Sequence, residues 1–155
     1  MASRSTIFGP SPGVIYSNDH LKEVRYPDKT TGAPSSFPRD FYSYNMQGQV
    51  VFFQDRNQTG HAYYYDVAGR PIAETAVGSA VDSTVKRLET AYDSAGRAYK
   101  FTSYSSVAGG NTVLNQVQRE FNGFGQIVKE YQSHSGAVTP GSPFVQYNYS
   151  FVQFG

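Results

Sequence analysis

The chain has 155 residues, 13 Lys plus Arg against 12 Asp plus Glu, and no Cys or Trp. That length fits one domain or a piece of a larger protein, and the near-neutral charge excludes the concentrated positive field of a nucleic-acid surface. Without Cys there is no disulfide framework, no thiolate nucleophile and no Cys-ligated metal, and no apolar run approaches the ~18 residues of a membrane-spanning helix.

The apolar residues are unusual in kind. Val occurs fifteen times and Leu three times, beside 13 Tyr and 11 Phe. β-Branched and aromatic side chains suit a pleated, half-buried surface, while the 15 Gly and 8 Pro punctuate turns. The expectation is an all-β chain of short strands and many turns.

Met1 to Gly13 lacks the apolar stretch of a signal peptide, which leaves localisation open. Residues 1–20 form a non-repeat segment with a partial strand at Val14-Ile15-Tyr16. Leu21 to Asp28 reads as the second strand of a preceding hairpin, and Thr30 to Pro38, rich in Pro and Gly, as a connector. Strands are then expected at Phe41–Tyr44, Val50–Phe53, Ala62–Tyr65 and Ile72–Thr75. Further strands follow at Leu88–Tyr92, Tyr99–Thr102, Val117–Phe121 and Ile127–Tyr131. Between them, Asp55 to Gly60 and Ser105 to Thr112 read as hairpin connections, residues 76–87 as an irregular loop, and Ser133 to Pro143 as a loop.

Four of the strand pairs share a hexapeptide: Tyr44-Asn45-Met46-Gln47-Gly48-Gln49, Tyr65-Asp66-Val67-Ala68-Gly69-Arg70, Tyr92-Asp93-Ser94-Ala95-Gly96-Arg97 and Phe121-Asn122-Gly123-Phe124-Gly125-Gln126. Successive aromatics lie 21, 27 and 29 residues apart, and a fifth start falls at Tyr147 or Tyr149. Asp or Asn at the first turn position bonds to backbone N–H groups ahead of it. Gly three residues on takes the left-handed conformation that other residues resist. Such a turn joins two antiparallel strands, often with a bulge.

This unit resembles the YD repeat of the RHS, or rearrangement-hotspot, family of bacteria. The units at Tyr65 and Tyr92 match its Tyr-Asp-x-x-Gly-Arg signature fully; those at Tyr44 and Phe121 carry Asn for Asp and Gln for Arg. The resemblance implies antiparallel hairpins forming a continuous twisted ribbon, a segment of a hollow shell. It also implies a secreted or cell-surface parent, which in toxin members encloses an effector. The repeat region covers residues 21–150, with units near 42–55, 63–75, 90–104 and 119–132 and a partial one at 145–150. Residues 151–155 read as a truncated tail, so the chain reads as a fragment of a longer repeat protein.

No catalytic residue, metal site or cofactor is expected. His20, His61 and His134 show no ligand spacing. Asp66 and Asp93 recur once per hairpin, as a turn residue does and a catalytic acid has no reason to. Asn45 and Asn122 serve the same turn but cannot act as a general acid. Arg70 and Arg97 are expected to pair with nearby carboxylates or to stack on Tyr. The candidate ligand-facing aromatics are Tyr63, Tyr65, Tyr99 and Phe101, which offer ring faces to a carbohydrate or a cell-surface partner. If strand 62–65 is regular, Tyr63 and Tyr65 share one face and Tyr64 the other, with unequal exposure. The expected partners are flanking repeats or other copies of the chain at exposed strand edges; nucleic acid and membrane insertion are not expected.

Overall fold

A computed structural model describes residues 19–78, 84–108 and 112–150. The segment 1–18, with its expected partial strand, the middle of loop 76–87 and the tail 151–155 lie outside the described residues. The chain divides into two compact halves, Met1–Ser83 and Thr84–Gly155.

The N-terminal half holds five strands: β1 (Glu23–Pro27), β2 (Pro34–Tyr44), β3 (Val50–Gln54), β4 (Gly60–Tyr65) and β5 (Pro71–Val77). Each pairs antiparallel with its chain neighbour. The C-terminal half repeats the arrangement with β6 (Arg87–Tyr92), β7 (Ala98–Tyr104), β8 (Val113–Phe121), β9 (Ile127–Ser133) and β10 (Phe144–Gln146). No helix occurs among the described residues. The protein is therefore all-β, built as a ribbon of consecutive hairpins.

Register explains the repeat length. In an up-and-down ribbon alternate turns fall at the same end of the strands, so one sequence period spans two strands and two connections. In each half the hexapeptides occupy one end: β2–β3 and β4–β5 in the first, β6–β7 and β8–β9 in the second. At each of them the register slips by one residue, as between Tyr64 and Tyr65 or between Glu120 and Phe121. A left-handed Gly followed by one extra residue produces such a bulge.

Two expectations change here. Thr30 to Pro38 is not a connector throughout, because β2 begins at Pro34 and Pro34 pairs with Pro27. Pro and Ser are tolerated there because the β2–β3 register begins only at Phe41, so this stretch of β2 is paired on the β1 side alone. The connecting turn is Asp28 to Ala33. Asp28 Oδ1 accepts the N–H groups of Thr30 and Thr31, and Gly32, at φ 71°, donates to the Asp28 carbonyl. Residues 76 and 77, expected in a loop, extend β5.

Among the described residues each strand touches only its chain neighbours within its half. Among the described apolar side chains only Ala73 is buried; the other buried side chains are polar, namely Thr75, Thr102, Ser103 and Gln116. Gln116 is held at both ends, donating from Nε2 to Thr102 Oγ1 at 2.8 Å and accepting the Val138 N–H at 3.0 Å. The stabilising contacts are therefore cross-strand pairs and turn bonds rather than a packed interior. Tyr63, Tyr64 and Tyr65 are all half-buried, in a strand that pairs regularly with β5 from Gly60 to Tyr64. On β5 burial alternates, with Ala73 and Thr75 buried between half-buried Ile72, Glu74 and Ala76.

Candidate functional site

The hexapeptide turns share one hydrogen-bond pattern. Asp66 Oδ1 accepts the N–H groups of Ala68 and Arg70, both at 2.9 Å. Gly69 N–H closes the turn on the Asp66 carbonyl at 3.0 Å, and Gly69 sits at φ 78°. The free carboxylate oxygen receives Arg70 Nε and Nη2 at 2.7 and 2.6 Å, a bidentate grip. Asp93 repeats every bond with Ala95, Arg97 and Gly96, the last at φ 81°.

Asn45 and Asn122 make the same backbone bonds, and their Nδ2 groups donate to Gln49 and Gln126 at 2.8 Å. The two departures from the Tyr-Asp-x-x-Gly-Arg pattern are thus one coordinated change. Asp faces Arg as an ion pair, and Asn faces Gln as an amide pair. That matched exchange was visible in the sequence, but its cause required the contact across the turn.

The electrostatics favour the ionised carboxylate. Backbone N–H from Arg70, followed by its guanidinium, holds Asp66 below the usual aspartate range against a smaller desolvation effect. Arg97 does the same for Asp93. A general acid needs the opposite shift.

Successive turns also lean on one another. Within each half the residue after one turn Gly lies against the Gly of the next, Gln49 against Gly69 and Arg97 against Gly125. A Cβ on Gly48 would meet the His20 ring at 3.1 Å, and one on Gly69 would meet Gln49 Nε2 at 3.3 Å. Gln49 Nε2 also donates to the Gly69 carbonyl at 2.8 Å. The same side chains cover the next turn's aromatic: His20 stacks on Tyr44 at 4.6 Å, and Arg97 lies 4.4 Å over Phe121.

The aromatic in turn reaches back. Tyr65 O–H donates to the carbonyl of Val50, two residues after Gly48, at 2.8 Å. Tyr149 O–H donates to Ile127, two residues after Gly125, also at 2.8 Å. Tyr149, rather than Tyr147, therefore occupies the repeat position. Tyr44 makes the equivalent bond to Leu21.

The hairpin connection expected at Asp55 to Gly60 is present and is a turn of this kind. Asp55 Oδ1 accepts from Asn57 and Thr59 at 2.8 Å, Asp55 N–H donates to the Thr59 carbonyl, and Gln58 N–H donates to the Asp55 carbonyl. Gln58 holds the left-handed position at φ 68°. Its likeness to the hexapeptide turns was not read from the sequence, because the Gly and the aromatic are missing.

The four aromatics singled out as ligand-facing divide between the two halves. Tyr99 and Phe101 belong to the C-terminal half and already carry cations, Lys100 at 5.8 Å and Arg119 at 5.0 Å. Tyr63 and Tyr65 line an open depression of about 420 Å³ in the N-terminal half, together with Tyr42, Val50 and Phe53. The rings are ordered across three strands: Tyr42 to Phe53 at 5.0 Å, Phe53 to His61 at 6.1 Å and His61 to Tyr63 at 6.4 Å. His61 Nδ1 lies 2.9 Å from Glu74 Oε1, and Glu74 is the cross-strand partner of Tyr63. Burial first and the Glu74 charge second push the Tyr63 phenol up. Among the described residues no group of three or more His, Asp or Glu is gathered as metal ligands would be.

No protein-family model matches the sequence. No curated protein matches it. Among solved structures, the crystal structure of TcdB2-TccC3-Cdc42 aligns with 72% of this chain and 6% of its own, at 14% identity and a TM-score of 0.35. The crystal structure of TcdB2-TccC3-TEV aligns with 82% and 8%, at 12% identity and a TM-score of 0.34. The chain spans less than a tenth of either protein. At such TM-scores neither likeness carries the function; the chain resembles the RHS/YD-repeat family by its hexapeptides and the hairpins they close.

Proposed function

We propose that this chain is a non-catalytic structural segment of an RHS/YD-repeat protein. It contributes β-hairpins to a shell or surface scaffold of the kind that encloses an effector in full-length relatives. The observation that carries the reading is the recurrence of one turn with interchangeable chemistry. Asp66 and Asp93 grip Arg, while Asn45 and Asn122 grip Gln, with the same backbone bonds. A position that works equally well as a carboxylate or a carboxamide serves shape rather than proton transfer. The contacts between successive turns within each half support the same reading, because neighbouring units cover one another as in a repeat array.

The open faces agree with a scaffold that meets flanking repeats or further copies of the chain. Leu88, Phe144 and Val145 are about half exposed, at 51%, 50% and 50%. Light scattering on the chain after size-exclusion chromatography tests the proposal. Self-association or an expanded species is expected. A compact, monodisperse monomer would show that the hairpins suffice alone and would favour a free-standing binding module. The carbohydrate-binding alternative has its best support at Tyr63 and Tyr65, where ring faces are grouped, and little at Tyr99 and Phe101, where cations cover them.

A further inference from the structure

Several rings in this chain carry cations from the chain itself. Arg56 lies 5.5 Å from Tyr26, Arg39 5.8 Å from Phe41, and Lys129 5.4 Å from Phe144. The rings of the depression in the N-terminal half do not. Among the described residues no Lys or Arg lies over Tyr42, Phe53, Tyr63 or Tyr65, although their four rings converge on one open space with Val50 at its wall.

The charge nearby is negative. Glu74 stands opposite Tyr63 across the β4–β5 ladder, and its carboxylate is about 40% exposed. His61 Nδ1 lies 2.9 Å from one oxygen of that carboxylate, Oε1. The hydroxyl of Tyr65 is tied to the Val50 carbonyl, which fixes that ring before any ligand arrives. Ring faces are electron-rich, and several around one space attract an alkylated ammonium more strongly than a neutral group of equal size. A sugar would additionally need a set of directed polar groups. The lining offers two further hydroxyls, on Tyr42 and Tyr63, while the Tyr65 hydroxyl is engaged and Phe53 and Val50 have none.

We propose that the depression walled by Tyr42, Phe53, Tyr63 and Tyr65 binds a quaternary or highly alkylated ammonium group, with Glu74 supplying the counter-charge. The inference goes beyond the scaffold reading and does not depend on it.

The test titrates the full chain into tetramethylammonium and choline and follows their N-methyl proton resonances. Seating among rings shifts these signals upfield. Neohexyl alcohol, the uncharged isostere of choline, is run in parallel and is expected to bind about tenfold more weakly. Tyr63→Leu is expected to weaken binding about tenfold or more, Glu74→Gln to weaken it severalfold, and Tyr99→Leu to leave it unchanged. Glu74→Gln keeps a hydrogen-bonding partner for His61, so it tests charge even if Tyr63→Leu perturbs the sheet. Comparing free choline with a trimethyl-lysine peptide then identifies the source of the ammonium. Unshifted methyl signals, equal binding of neohexyl alcohol, or binding only of neutral sugars would each overturn the proposal.

Discussion

The turns at Asp66–Arg70 and Asp55–Thr59 make the same backbone bonds and differ at the left-handed residue, Gly69 in one and Gln58 in the other. The comparison separates two demands that a conserved-looking hexapeptide merges. Closing the turn requires an Asx oxygen to collect two N–H groups, and Asp55 does this without any Gly. Accepting the neighbouring turn requires the Gly. Gln49 presses to within 3.3 Å of where a Cβ on Gly69 would stand, while Gln58 is exposed. The Gly of the hexapeptide therefore marks the end of the ribbon where turns lean on one another, and the opposite end of the same half tolerates a side chain.

This contrast predicts graded effects. Gly48→Val meets both a positive φ of 78° and the His20 ring. It should lower unfolding stability by roughly 2 kcal/mol or more in urea. Gln58→Val, at a position that already bears a Cβ, should cost less; an equal loss would remove the distinction between the two ends. Tyr65→Phe deletes the hydroxyl that ties one turn to Val50 and should cost about 1 kcal/mol in the same assay. Gln58→Gly relieves a left-handed non-Gly residue and should gain up to about 1 kcal/mol, offset in part by a freer unfolded chain.

Acid should separate the Asp turns from the Asn turns. Asp66 and Asp93 are held below their ordinary value of 3.8, so their stabilisation is complete above that value. It is lost as pH falls through the lower folded value. Asn45 and Asn122 do not titrate. Amide protection around Gly69 and Gly96 should therefore fade at acid pH before protection around Gly48 and Gly125, followed by hydrogen exchange. Simultaneous loss would show that the carboxylates do not hold their turns.

Much of the ribbon was legible because its information is local. Four hexapeptides and their flanking Val, Ile, Tyr and Phe specify hairpins within a dozen residues each. What stayed hidden depended on register or on exceptions to turn chemistry. Asp55 closes a turn with Gln58 where Gly was the cue. Asp28 closes one with an added residue before Gly32. The start of β2 looks like a linker because Pro34, Ser35 and Ser36 carry little strand signal. The depression was least legible of all. Tyr63 and Tyr65 could be paired by alternation within one strand, but Tyr42, Phe53 and Glu74 join them only through the register of three other strands and the bulges that reset it.

The central claim is that the hexapeptide serves shape, and it is tested most directly by comparing Asp66→Asn with Gly69→Val in urea unfolding. The account predicts a small shift of the midpoint for Asp66→Asn, because Asn45 and Asn122 already fill that role. It predicts a large destabilisation for Gly69→Val. Equal losses from the two substitutions would contradict it and return Asp66 to consideration as a chemical group.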